Sequence, residues 1–411
     1  MSHVIKDKNK NNNRSGSVLK TPEEKGLGRN VISLGWVAFF GGMAQDMIQP
    51  ILPVFYTSIL GLNKEFIGLI EGALTTVASL MKIGAGYLSD VLGVRKILVF
   101  IGYALSALAR FGMGLAGSGA AVFGLRLTDG IGKGLKDAPR DALVAGSAGD
   151  QKLGFAFGVQ RTLDTLGSVA GPLIAFGLLR LWETHAHKYN EVFFVAGIIA
   201  ALPLLIIGIW VKERKQPVNK QQVSLRALRG PFAGFLVIML LFTLGNSSDA
   251  FLILRANDVG ISSSTIPLVI AFFNLVSALA AIPAGRISDR IGRRNAISIG
   301  WGVYALTYLG FALTKQSWII WGLYGFYGLY YAFTEGSAKA MVAELVPESN
   351  RGAAYGLFNA SIGVMALPAS LIAGVLWNRV SPAAPFAFGA IMTFIAFVAL
   401  RFIPAKKVGN N

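Results

Sequence analysis

The 411-residue sequence contains no cysteine and only three histidines. The first absence excludes disulfide scaffolds, thiolate metal sites and cysteine nucleophiles. The second leaves too few imidazoles for a zinc cluster; His185 and His187 read as residues of a solvated outer loop. Charge is also scarce. Asp, Glu, Lys and Arg make up 14% of the chain, against about 25% in soluble proteins, too little to cover the surfaces of soluble domains of this total length. Neither a Gly-x-x-x-x-Gly-Lys-(Ser/Thr) phosphate loop nor a Gly-x-Ser-x-Gly nucleophile elbow occurs. The glycine-rich run from Arg126 to Lys133 lacks the strand-to-helix setting of a phosphate site. These absences point away from an enzyme, and no cofactor or metal is expected.

Apolar residues make up 54% of the chain and Gly contributes 49 positions, which suits close helix contacts in a bilayer. Twelve stretches are apolar enough to cross about 30 Å of hydrocarbon: 31–57, 66–88, 97–117, 119–141, 154–180, 191–211, 231–255, 265–288, 297–314, 317–343, 353–377 and 383–403. This predicts an all-α membrane protein of twelve helices. The expected layout is a disordered tail (1–29), a six-helix half (30–211), a basic linker (212–230), a second six-helix half (231–404) and a short tail (405–411). The polar, Asn/Lys-rich start has no apolar core and is not a signal peptide.

The net charge of +17 is an orientation signal. Placing both termini and the linker on one side gathers most Lys and Arg there and leaves Lys64, Arg180, Lys188, Arg255, Lys315 and Arg379 opposite. By the positive-inside rule the rich side is cytoplasmic. Charge spread over short loops does not form a nucleic-acid footprint, so nucleic acid is not an expected partner.

The halves repeat. Gly86-Tyr-Leu-Ser-Asp90-Val-Leu-Gly93-Val-Arg95-Lys96 returns 199 residues later as Gly285-Arg-Ile-Ser-Asp289-Arg-Ile-Gly292-Arg293-Arg294. Gly154-Phe-Ala-Phe-Gly158 is echoed by Gly352-Ala-Ala-Tyr-Gly356, and Asp46 and Asp249 fall at similar places in the first span of each half. Repeated halves are how many secondary transporters are built, with the binding site where the halves meet.

These loops and the six-plus-six layout resemble the major facilitator superfamily over residues 30–403. Pro50-Ile-Leu-Pro53, Arg126-Leu-Thr-Asp129-Gly-Ile-Gly132 and Gly167-Ser-Val-Ala-Gly171-Pro172 are similar to motifs of its drug:proton antiporter branch. Two departures stand out: Ala175 replaces the last Gly of the third motif, and Val91 and Val94 occupy usually basic positions of the first loop. The resemblance implies a monomeric, proton-coupled transporter of a small organic molecule in a cell membrane, the inner one in a Gram-negative bacterium. It implies further that Asp90, with Asp289 as its counterpart, latches its loop to a helix end in the outward-open state. The turns need only Gly93 and Gly292 at positive φ, with Asp90 and Asp289 accepting backbone hydrogen bonds or pairing with Arg95 and Arg294.

Ionisable residues inside the spans are costly unless paired or hydrated, and so point to function. Asp46, Gln49 and Pro53 share one face of span 1; Arg126, Asp129 and Lys133 share one of span 4. Arg161, Asp164 and Ser168 stripe span 5, Asn246 and Asp249 span 7, and Tyr324, Tyr327, Tyr331, Glu335 and Lys339 span 10. The proton-coupling candidates are Asp46, Arg126, Asp129, Asp164, Asp249 and Glu335. The cavity candidates are Gln49, Arg161, Asn246, Tyr327, Tyr331 and Lys339. Arg161 with Asp164, and Glu335 with Lys339, read equally well as local ion pairs, and the tyrosines as packing. Glu71 in span 2 and Arg110 in span 3 lie near outer and middle depths, and Lys82 of span 2 reaches toward the cytoplasmic interface. Import of an organic anion, lipid flipping and membrane sensing are the competing functions.

Overall fold

A computed structural model describes residues 28–148, 153–213, 230–347 and 350–403, apart from the Asp90 side chain. Most of the two expected tails and of the linker, and the Asp90 carboxylate, therefore lie outside the described residues. The first half comprises α1 (Arg29–Ile48), α2 (Leu52–Ser58), α3 (Lys64–Leu92), α4 (Arg95–Met113), α5 (Gly119–Ala148), α6 (Leu153–Leu181) and α7 (Lys188–Ile209). The second comprises α8 (Pro231–Gly245), α9 (Ala250–Asp258), α10 (Ile266–Ile291), α11 (Arg293–Leu313), α12 (Ser317–Leu345), α13 (Arg351–Arg379) and α14 (Ala384–Leu400).

Two pairs, α1/α2 and α8/α9, are single spans broken in the middle, so the fourteen helices make the expected twelve crossings. By length and composition nine stretches among the described residues qualify as membrane spans. Of the others, α5 carries the charges from Arg126 to Asp141, and α14 has only 17 residues. A helix satisfies its own backbone groups, so it can cross hydrocarbon. Its outward side chains here are large and apolar, as at Leu108, Leu181, Leu279 and Leu306.

The breaks have local causes. Pro50 and Pro53 lack the N–H groups that would bond Asp46 and Gln49 four residues back. The chain instead turns with Ile51 N–H on the Ile48 carbonyl, 3.0 Å away. In the second half, Asn246-Ser-Ser-Asp249 interrupts the ladder, its polar side chains competing for backbone groups. Pro53 therefore does not continue the Asp46–Gln49 face, as an unbroken helix would require. It opens α2.

The halves are packed alike. α1 lies on α6 and α7, α3 and α4 on α5, and α4 on α7. Correspondingly α8 lies on α13 and α14, α10 and α11 on α12, and α11 on α14. Between halves, two long seams join α3 to α13 and α6 to α10, while α2 meets α9. The α3–α13 seam is glycine-lined: a Cβ at Gly68 would lie 2.2 Å from the Ser370 carbonyl oxygen, and one at Gly363 2.0 Å from Ser79 Oγ. Thr76 adds a hydrogen bond to the Gly363 carbonyl at 2.8 Å.

Candidate functional site: a cavity between the halves

The two helix breaks face each other across a cavity of about 360 Å³. Gln49, Glu71, Arg126, Asp129 and Lys133 line it from the first half, and Asn246, Asp249 and Tyr331 from the second. A recess of about 30 Å³ adjoins it, sharing Gln49 and Asp249 and adding Asp46, Asn274, Tyr324 and Tyr327. The structure thus brings together eight of the twelve coupling and cavity candidates.

The first-half wall is ionic. Arg126 Nη2 donates to both carboxylate oxygens of Glu71 at 3.0 Å, and its Nη1 lies 3.4 Å from Asp129. Asp129 is also 3.6 Å from Arg110, whose side chain is fully enclosed. Tyr56 Oη points at Glu71, 3.5 Å away. Asp46 has no Lys or Arg within ion-pair distance among the described residues. Glu71 takes the guanidinium because α3 packs directly on α5. The sequence places Glu71 and Arg110 only by their depth in spans 2 and 3; their partners lie 55 and 19 residues away on other helices.

The second-half wall is aromatic. Tyr327 Oη donates to Asp249 Oδ1 at 2.7 Å. Tyr304 Oη lies 3.2 Å from Asn246 Oδ1. Tyr304 and Tyr308 stack 4.0 Å apart, and Phe273 packs on Tyr327 and Tyr331 at 5.4 Å each. Asn274 reaches across the halves to the Ser168 carbonyl, 2.7 Å away. Tyr304, Tyr308, Phe273 and Asn274 join the site only through the packing of their helices. The signal for the first two was a Tyr-x-x-x-Tyr spacing in α11, and for Asn274 a lone amide in an apolar run.

The remaining four candidates form a separate group. Arg161 lies 3.8 Å from Asp164 and 3.6 Å from Glu335 of the other half, and Lys339 lies 2.9 Å from Glu335. Arg161 is 69% exposed, and exposed pairs contribute at most about 1 kcal/mol. The Glu71–Arg126 pair, with both side chains close to 10% exposed, belongs to the class whose disruption costs about 3–5 kcal/mol.

In the repeated loops, Gly93 and Gly292 hold positive φ, 66° and 88°. Asp289 pairs with Arg293 rather than with the expected Arg294; Arg293 also reaches Glu344 at the end of α12, 3.3 Å away. Arg294 instead donates to the Ile403 carbonyl at 3.0 Å. In the first half, Lys96 N–H donates to Glu213 at 2.7 Å. Each loop is thus tied to the end of its half's last span. In the Gly-Pro run, Cβ atoms at Gly167 and Gly171 would lie 2.2 and 2.3 Å from the carbonyl oxygens of Phe39 and Met43, so these glycines let α6 lie against α1, ahead of Pro172.

The family model described as Major Facilitator Superfamily matches residues 34–254 and 232–411. An uncharacterized MFS-type transporter of Methanocaldococcus jannaschii is 35% identical over 393 residues, covering 92% of this chain and 96% of that protein. A multi-drug resistance efflux pump homolog of Lactococcus lactis is 24% identical, covering 90% and 95%. Among solved structures, a POT family transporter in complex with 5-aminolevulinic acid superposes with a TM-score of 0.76 at 14% identity, covering 92% and 96%; this likeness concerns the fold.

Proposed function

Because the chain belongs to the major facilitator superfamily and is a multi-pass membrane transporter, we propose that it exports a small organic molecule in exchange for protons. The reading rests on one observation: Asp46 and Asp249, at the breaks of corresponding spans, share a recess between the halves with no cationic partner among the described residues. A carboxylate in such a place can be neutral when protonated and charged when not. Rocking of the halves about their seams would expose it to the two sides in turn. The efflux relative in Lactococcus lactis and the Gly-Pro run support the outward direction. The distribution of Lys and Arg supports a cytoplasmic side for both termini.

Import of an organic anion is less well supported. It needs a cation free to receive a carboxylate: Arg126 is engaged by Glu71 and Asp129, and Arg161 and Lys339 by Glu335, which leaves Lys133 of the cavity lining as the candidate. The test is the purified chain in liposomes with an imposed pH gradient and a panel of labelled organic compounds. Accumulation that follows the gradient and reverses with it is expected. Accumulation indifferent to pH would overturn proton coupling.

A further inference from the structure

We infer that the cavity between the halves takes a neutral, hydroxyl-rich molecule of the sugar or polyol class. The Gln45 and Gln49 amides hold it from the first half, and the Ser248 and Ser370 hydroxyls from the second. The inference names the cargo of the transport reading above and rests on it only for the claim that the bound molecule is moved.

The lining comes first. Fourteen of the nineteen residues around the cavity are polar or charged, and Tyr331 is the single aromatic among them. Pockets for drug-like compounds are built the other way round, from apolar and aromatic side chains with a few polar groups. A lipophilic molecule here would strip water from many hydrogen-bonding groups and leave them unpaired, at about 1–3 kcal/mol each. A molecule with a hydroxyl on nearly every carbon replaces that water group for group. The Tyr331 ring adds one surface on which the C–H face of a pyranose can pack.

Charge comes second. Glu71 and Asp129 are balanced by Arg126 and Arg110. Of the other lining residues, Lys133 and Asp249 are charged, one of each sign, and neither has an ion-pair partner among the described residues. Asp46 stands apart in the adjoining recess. The cavity wall therefore carries no net charge, and a neutral ligand preserves that balance where an ion of either sign would upset it.

Third, the polar groups divide into spent and unspent ones. Thr75 and Thr243 give their hydroxyl protons to the Glu71 and Met239 carbonyls of their own helices, at 3.0 and 2.7 Å. Gln45 and Gln49 lie one helical turn apart and both border the cavity, with no side-chain hydrogen-bond partner among the described residues. An amide offers one acceptor and two donors, so each can hold two adjacent hydroxyls, accepting from one and donating to the next. Opposite them, Ser370 Oγ accepts from the Ser248 N–H and Ser248 Oγ from the Ala250 N–H, both at 3.3 Å. Both serine hydroxyl protons are left to donate. Amides and hydroxyls belong to different halves, so a ligand that satisfies both also draws the halves together.

The test is equilibrium binding by the full chain in phosphatidylcholine nanodiscs, free of glycoside detergent and with no gradient. The labelled probes are neutral polyols (glucose, galactose, xylose, mannitol, sucrose, maltose and trehalose), a neutral lipophile (progesterone) and a zwitterion (alanine). Saturable binding of at least one polyol is expected, about tenfold or more tighter than progesterone or alanine, because a site built for hydroxyls rejects ligands that lack them. Gln45→Leu and Gln49→Leu should each weaken that polyol about tenfold, as loss of two hydrogen bonds implies, and Ser370→Ala should weaken it several-fold. Absence of saturable binding by every polyol, equal binding of progesterone or alanine, or unchanged affinity in both glutamine variants would overturn the inference. Ser370→Ala removes one oxygen, so it decides the matter even if the glutamine variants fail to fold. Because no gradient is present, glutamine-dependent polyol binding in a protein that fails pH-driven transport sustains the site and removes proton coupling. Transport of lipophilic compounds that follows the pH gradient and ignores Gln45 and Gln49 does the reverse.

Discussion

The guanidinium of Arg126 and the carboxylate of Glu71 lie 3.0 Å apart through both carboxylate oxygens and fasten α5 to α3 at the cavity wall. Asp129 holds the same arginine from the other side and is itself held by Arg110. Four charges on three helices thus cancel in pairs, which fits these helices to move as one body while the seams to the other half yield.

Removing one member strands a buried charge. Glu71→Ala should lower stability by about 3–5 kcal/mol, and Arg126→Ala by a comparable amount. The double variant should be less damaged than the sum, with a coupling of about 0.5–3 kcal/mol. Thermal unfolding of the four proteins in one detergent measures this. Strict additivity would show that the pair does not act as a unit.

Much of this was readable from residues near one another in the chain. The apolar runs marked the spans, the Gly-x-x-Ser-Asp loops marked the repeat, and the i, i+3, i+7 spacing of Tyr324, Tyr327 and Tyr331 marked one wall. Pairing between helices was not readable. Asp46 and Glu71 are equally plausible partners for Arg126 on a helical wheel, and only the packing of α3 on α5 decides between them. The break at Asn246–Asp249 was read as part of one span because its flanks are strongly apolar, although Gly245 followed by Asn-Ser-Ser-Asp carries a helix-stop signal. Tyr304 and Tyr308 passed as ordinary aromatic packing because their value lies in facing Asn246 from another helix.

The α1–α6 contact makes a sharp steric prediction. A methyl group at Gly171 meets the Met43 carbonyl oxygen, whereas one at Gly177, further along the same helix, meets nothing within 4 Å. Gly171→Ala should cost about 1–3 kcal/mol by overpacking, and Gly171→Leu should abolish transport. Gly177→Ala should be neutral. Unfolding midpoints and liposome transport, compared across the three, check both. Full activity in a well-expressed Gly171→Leu protein would contradict the close approach.

The loop at Asp289 separates stability from state balance. Its pair with Arg293 is largely exposed on the carboxylate side, 64%, so Asp289→Asn should change stability by less than about 1 kcal/mol. If the loop acts as a latch, with Arg293 bridging to Glu344, then Asp289→Asn and Glu344→Gln should each slow transport several-fold at normal abundance. The same outcome is expected for Asp90→Asn. Native rates in all three would reduce the repeated loop to a turn between helices.

The strongest constraint comes from comparing the two recess carboxylates with the paired one. Asp46→Asn and Asp249→Asn imitate the protonated forms. If these groups carry the protons, each variant should fold and reach the membrane but lose accumulation driven by a pH gradient. Equilibrative movement down a substrate gradient should survive in part, since that needs the cavity but no proton. Glu71→Gln should behave differently, because its carboxylate is committed to Arg126 and its loss damages the wall. It should reduce driven and equilibrative movement together, along with stability. The three variants are therefore measured side by side in liposomes, with and without a pH gradient, for the ratio of driven to equilibrative transport. A ratio near one for Asp46→Asn and Asp249→Asn, and near the native value for Glu71→Gln, places the proton on the recess. An Asp46→Asn protein that still concentrates its substrate would remove Asp46 from coupling and leave Asp249 to carry the proton alone.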